Sequence, residues 1–157
     1  MSAELSKDYL ESETAIYNRI RQRAFSLLAR REYSEFELRS KLYPLASESL
    51  VDRLIDELIK NNMQSDSRYA EMLCRSRFNQ GKGPVKILYE LGQNQISSSI
   101  VDAVMGPYEG EWALLAKQVR EKKFGKSPVG SYREWVRQAR FLQQRGFNAS
   151  HFGDFTE

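Results

Sequence analysis

The chain is predicted to be all-α, built from tandem three-helix repeats, three units in all, that form an elongated, curved body. Three observations point there. Apolar residues recur at i, i+3/i+4 and i+7 along most of the 157 residues, which is the period of amphipathic helices. No stretch alternates with period two, so strands are not expected. The apolar pattern also repeats: Leu38 and Leu42 map onto Ile87 and Leu91, Leu50 and Val51 onto Ile100 and Val101, and Leu28 onto Leu73, at offsets of 45 to 50 residues. A helical period of that length marks units that bury their apolar faces partly on their neighbours. The expected boundaries are an N-terminal extension over 1–15 and repeats over 16–62, 63–106 and 107–157.

The elements follow in order. Residues 1–14 are polar and acidic without a clear apolar period, and are expected to be frayed or weakly helical. A helix is predicted over about Ile16 to Arg30, carrying Ile20, Ala24, Leu27 and Leu28. Ser34 with Glu37 spells a capping box, hydroxyl to the Glu37 amide and carboxylate back to the Ser34 amide. The short helix after it carries Leu38 and Leu42 and stops before Pro44. A third helix is expected from Glu48 to Lys60, closed by Asn61–Asn62. In the second unit Asp66 is expected to cap a helix that ends at Gln80–Gly81. Pro84 suits the first position of a short helix with Ile87, Leu88 and Leu91, ended by Gly92. Ser97 is expected to cap a helix with Ile100, Val101 and Val104, broken by Gly106–Pro107. The third unit predicts helices over Gly110–Lys123 and Tyr132–Arg145, a loop over Gly125–Gly130, a stop at Gly146, and a last turn capped by Asn148 that reaches Phe152 and Phe155.

Composition narrows the function. Apolar residues make up 41% and charged residues 29%, ordinary for a globular chain and unlike a disordered one. The lone Cys74 allows no internal disulfide, and no Cys/His cluster has metal-ligand spacing. No apolar run reaches the ~20 residues of a membrane span, and Met1–Asp8 lacks the features of a signal peptide. A cytoplasmic protein, free of membrane, is expected. His151, the single histidine, sits among aromatics and reads as packing. Gly81-Lys82-Gly83-Pro84 looks superficially like a phosphate loop but lacks the Walker spacing and a preceding strand, and proline removes an amide. No catalytic constellation emerges, so neither an enzyme nor a cofactor is expected.

Charge gives the positive signal. Residues 1–62 carry 10 Lys/Arg against 11 Asp/Glu, whereas residues 117–145 carry 9 against 2. On a helix from Tyr132, Arg133, Arg137, Arg140 and Gln144 fall within about 60° of one another, opposite Trp135, Ala139 and Leu142. The row itself contains no acid. Such a row can hold phosphates or carboxylates bidentately. Arg133, Arg137 and Arg140 are therefore the expected anion-binding residues, supported by Lys117, Arg120, Lys122, Lys123 and Lys126. In the middle unit Arg75 and Lys82 are further candidates. Arg77 lies roughly opposite Arg68, so Arg75 and Arg77 cannot both face one partner, and the sequence leaves open which of them is structural.

These residues also carry a resemblance. Ala24-x-x-x-Leu28-x-x-Arg31-Glu32-Tyr33-Ser34-x-x-Glu37-Leu38-x-x-Lys41-Leu42 resembles the opening of the RecX family. Asp66-x-Arg68-Tyr69-Ala70, Arg75-x-Arg77, Gly81-x-Gly83-Pro84 and Glu90-Leu91 resemble its second block, and Leu142-x-x-Arg145-Gly146-Phe147 its closing segment. Together they span about 20–155. Two departures stand out: Leu45-Ala46 replaces a common glycine, and Asn61-Asn62-Met63 replaces a glycine-containing turn that asparagine can still form in the left-handed conformation.

The resemblance implies tandem three-helix repeats and a negative regulator of the RecA recombinase. Such a protein binds in the groove of the RecA–DNA filament, limits its growth, and inhibits its ATPase, strand-exchange and coprotease activities. It thereby modulates recombinational repair and the SOS response. The implied partners are the RecA filament and single- or double-stranded DNA, reached through the filament, with the protein itself a monomer. Charge and periodicity leave an alternative, a helical DNA-binding module acting without RecA; a scaffold that binds only protein is the third possibility.

Overall fold

The computed structural model describes residues 2–154, with side chains over 12–154. Every regular element among them is helical. The chain divides into two compact units, residues 1–69 and 70–157, and each is described by itself.

The first unit holds α1 (Ser2–Leu28), α2 (Glu35–Leu42) and α3 (Glu48–Lys60). Helix α1 begins well before the expected Ile16; residues 3–10 are rich in Ala, Glu, Leu and Lys, which favour helix without an apolar stripe. Ile20, Ala24 and Leu27 of α1, Leu38 and Leu42 of α2, and Leu50, Val51, Leu54, Ile55 and Leu58 of α3 form one buried cluster. Each large member contributes about 1.5–3 kcal/mol through burial.

The Arg31–Glu37 segment explains its own motif. Ser34 Oγ accepts from Glu37 N at 3.0 Å, and Glu37 Oε1 accepts from Ser34 N at 3.0 Å, the expected capping box. The same carboxylate takes Arg31 Nη2 at 2.9 Å, and the Arg31 guanidinium lies 3.7 Å from the Tyr33 ring centre. After α2 the chain makes a 3-10 turn over Tyr43–Leu45 with Pro44 near its start, a glycine-free way round the corner. After α3, Asn62 takes φ 59°, the left-handed value expected there.

Asp66 departs from its expected role. Ser65 caps the following helix, its Oγ accepting from Arg68 N at 3.2 Å. Asp66 Oδ1 instead accepts from Glu35 N, the first amide of α2, at 2.8 Å, and from Gln64 Nε2 at 3.0 Å. A carboxylate at that end also suits the helix dipole.

Helix α4 (Asp66–Asn79) contains the division between the units, and α5 (Pro84–Gln93), α6 (Ser98–Met105), α7 (Trp112–Phe124), α8 (Tyr132–Gln144) and α9 (Ala149–Phe152) lie in the second. Helix α5 continues through Gly92 and closes at Asn94, with Gln95 at φ 56°, so Gly92 does not end it. Ile87 and Leu91 are buried as expected, but Leu88 faces outward. Ser97 precedes α6 without a side-chain bond to its amides. Asn148 caps α9 as expected, Oδ1 accepting from Ser150 N at 3.1 Å, and Phe155 lies outside the described residues.

One junction organises the second unit. Arg145 O accepts from Gly83 N at 2.7 Å and Gly146 O accepts from Val85 N at 2.9 Å. The carbonyl end of α8 thus meets the amide end of α5, satisfying orphan groups at both and aligning their dipoles favourably. The approach needs two glycines. A Cβ on Gly83 would stand 2.4 Å from Gly146 C, and Gly146, at φ 100°, would place its own 2.9 Å from Lys86 N.

Candidate anion-binding interface

Helices α7 and α8 pack on each other and on α9. Trp112, Leu115 and Ala116 of α7 and Ala139 and Leu142 of α8 are buried. This fixes the rotation of α8: with Ala139 and Leu142 inward, Arg133, Arg137, Arg140 and Gln144 are exposed on the other side. Ser131 caps α8, its Oγ accepting from Glu134 N at 3.2 Å.

The row borders a cleft of about 770 Å³ whose walls include Lys123, Phe124, Tyr132 and Phe141. Phe124 and Phe141 meet edge to face at 5.3 Å between ring centres. The Arg137 guanidinium lies 4.9 Å from the Phe124 centre, and Lys123 Nζ lies 5.4 Å from that of Phe141. Cations seated on rings in this way keep their charge at the surface with less freedom to wander. An adjoining cleft of about 390 Å³ shares Lys123 and Phe141 and adds Lys122 and Arg145. Arg145 Nη1 donates to Gln80 O at 3.2 Å.

One acid intrudes on the row. Glu134 accepts from Arg137 Nη2 at 2.7 Å and from Nε at 3.0 Å. These bonds, with one from Gln138, hold the Glu134 carboxyl below its usual range, and the same contact pushes Arg137 up. Both groups are therefore charged at neutral pH, and Arg137 is partly neutralised. Arg133 and Arg140 have no ion-pair partner among the described residues.

The other expected residues divide. Lys122 and Lys123 join the clefts beside the row. Arg120 does not: it lies 4.0 Å from Glu121 and lines a separate cleft with Pro128 and Trp135, on the side of α8 away from the arginines. Lys117 on α7 and Lys126 in the following loop are exposed outside these clefts. Arg75 is exposed on α4, and Lys82 is half-buried in the turn before α5. The choice between Arg75 and Arg77 is resolved: Arg77 Nε donates to Glu90 at 2.8 and 3.2 Å, tying α4 to α5. Arg68 is likewise engaged, with Glu32 at 3.0 Å and Asn62 O at 2.8 Å.

The aromatic lining was missed from sequence, because Phe124 and Phe141 lie on different helices 17 residues apart. His151 has a local duty, its Nδ1 accepting from Asn148 N at 3.0 Å. Burial pushes the Cys74 thiol up to about 11, leaving it protonated and unreactive at neutral pH. Among the described residues no group of His, Cys, Asp and Glu could hold a metal ion, and no helix is long and apolar enough to cross a membrane.

The architecture and this surface define a class: a protein of tandem three-helix units with a cationic, aromatic-lined face. Comparison with known proteins agrees in detail. Residues 65–105 match the second three-helix domain of RecX, and residues 113–152 match the third. A regulatory protein RecX of Halorhodospira halophila is 38% identical over 83% of this chain and 81% of its own. One of Pseudomonas entomophila is 35% identical over 85% and 87%. A crystal structure of a regulatory protein RecX superposes with a TM-score of 0.77 at 22% identity, covering 94% of this chain and 74% of that one. RecX from Lactobacillus salivarius gives 0.69 at 22% identity, covering 88% and 92%. The chain belongs to the RecX family of regulatory proteins.

Proposed function

We propose that this protein is a negative regulator of the RecA recombinase that binds the RecA–DNA filament in the cytoplasm as a monomer. Binding depresses the filament's ATPase, strand-exchange and coprotease activities, and so restrains recombinational repair and the SOS response. The observation that carries the contact surface is the exposed face of α8, where Arg133 and Arg140 have no acidic partner among the described residues. With Arg137 between them the three guanidinium groups follow one another at about one turn, a row that can take phosphates in succession.

In this account Arg133, Arg137 and Arg140 hold phosphates, Lys122 and Lys123 border them, and Lys117 and Lys126 raise the local potential. Arg75 and Lys82 supply a second contact from the middle repeat. Contacts from two or three repeats, expected over 16–62, 63–106 and 107–157, add avidity without any single one being strong. A protein engaging adjacent protomers hinders both their rearrangement during turnover and their addition at filament ends.

The test titrates the protein into RecA's DNA-dependent ATPase and strand-exchange reactions. Inhibition at or below equimolar protein, with co-sedimentation, is expected. Unchanged rates and no co-sedimentation would overturn the proposal; steep, salt-sensitive binding to duplex DNA in that case would favour a DNA-binding module acting without RecA.

A further inference from the structure

Helix α5 presents two very different sides. Pro84, Ile87 and Leu91 are buried, whereas Val85, Leu88 and Tyr89 are 51%, 45% and 68% exposed. At ~100° per residue those three share one flank, and Gly92 falls on the same stripe. Nothing lies within 4 Å of where a Gly92 Cβ would stand. The chain's own packing therefore has no use for glycine there, and glycine weakens a helix interior relative to alanine. Three large apolar side chains around a bare stretch of backbone form a surface that another chain could approach closely.

Charge specifies what would cover it. Lys86 on the edge of α5 and Lys82 in the preceding turn form no ion pair among the described residues. The one carboxylate of α5, Glu90, is already held by Arg77 at 2.8 Å. The face is apolar at its centre and uncompensated positive at its edge. A phosphate backbone would satisfy the edge and leave the centre wet. A second copy docking by the same face would set lysines against lysines. A protein segment with an apolar ridge flanked by carboxylates matches both parts.

We infer that the Val85–Leu88–Tyr89 stripe of α5 is a protein-docking surface for such an acidic-rimmed apolar ridge, distinct from the phosphate-binding row of α8. Resting on the function proposed above, the ridge belongs to the protein component of the filament. The two surfaces then divide the partner between them, nucleic acid on α8 with Arg75 of α4 in support, and protein on α5, with Lys82 and Lys86 at its rim.

The experiment compares the full chain with Leu88→Glu/Tyr89→Glu and with Gly92→Ala. It measures co-sedimentation with RecA filaments assembled on single-stranded DNA, anisotropy on the naked oligonucleotide, and Tm. The double variant is expected to lose about 30-fold in filament affinity, as hot-spot substitutions do, while oligonucleotide binding stays unchanged. Gly92→Ala should raise Tm yet weaken filament binding about 5-fold, a pairing that a purely structural role for the glycine would not produce. If the wild-type chain sediments with filaments and both variants match it, the docking assignment alone falls. Equal losses on filament and naked oligonucleotide also overturn it, as does a dimer in solution that the double variant dissociates. If the wild-type chain fails to sediment, the function proposed above falls and takes the assignment with it.

Discussion

Arginine does two different jobs in the first unit and on α8. In the first unit Arg21, Arg31, Arg39 and Arg68 are each engaged by carboxylates, Glu57, Glu37, Glu35 with Asp52, and Glu32 respectively. Singly such partly exposed pairs are worth about 0–1 kcal/mol. Their value here is directional, since Arg68 also ties down the turn after α3 through Asn62, and Arg31 braces the capping box of α2. On α8 the same side chain stands with one acid among three arginines. A charge placed beside its counter-charge sets the geometry of the fold; a charge left without one keeps its interaction energy for a partner. The second unit contains both kinds, Arg77 against Glu90 and Arg133 and Arg140 in the open.

The contrast can be broken most forcefully at the junction that holds the second unit together. Gly146→Ala adds a Cβ at positive φ against Lys86, and is expected to cost about 2–4 kcal/mol in urea unfolding. A wild-type midpoint would show that the α5–α8 approach is not needed. Next in size is the pair Arg77→Ala and Arg75→Ala. The first should cost about 1 kcal/mol of stability, leaving Glu90 without its partner, with unchanged DNA affinity. The second should leave Tm alone and weaken DNA binding about 3-fold; the reverse pattern would exchange their roles.

The smallest effect is a pH dependence at His151. Burial holds its imidazole below the usual range, and its Nδ1 accepts from the Asn148 amide only when unprotonated. On acidification the unfolded chain takes up the proton first. The stability is therefore fully present above ~6.5 and is lost as pH falls through the lower folded value. Tm should drop between pH 7.5 and 5, and His151→Asn should flatten that slope. An equal slope in both proteins would assign the dependence elsewhere.

What the sequence made legible was local. The Ser34–Glu37 box, the bounds of α3 and the Asn148 cap depend on residues within four positions of one another, and the apolar period fixed which side of α8 is buried. Contacts across the chain left no such trace. Asp66 looked like the cap of its own helix, yet it serves α2 from 31 residues away. Arg77 and Arg75 were indistinguishable until Glu90, 13 residues on, was seen to hold one of them. Gly83 and Gly146 stood out only as motif letters, because the reason for each is the other's backbone. The arginine row was visible as a helical face, but its aromatic setting required α7 and α8 to be placed together; the bond from Arg137 back to Glu134 is a local i,i+3 contact within α8 that the angular count of the row passed over.

The most direct measurement is the salt dependence of DNA binding by the full chain and by an Arg133→Ala/Arg137→Ala/Arg140→Ala variant. With duplex DNA the slope of log K against log salt is expected to fall in magnitude by about 2–3 in the variant, as three phosphate contacts are lost, while Tm is preserved. The same affinity and the same slope in both proteins would contradict the placement of the anion-binding surface on α8.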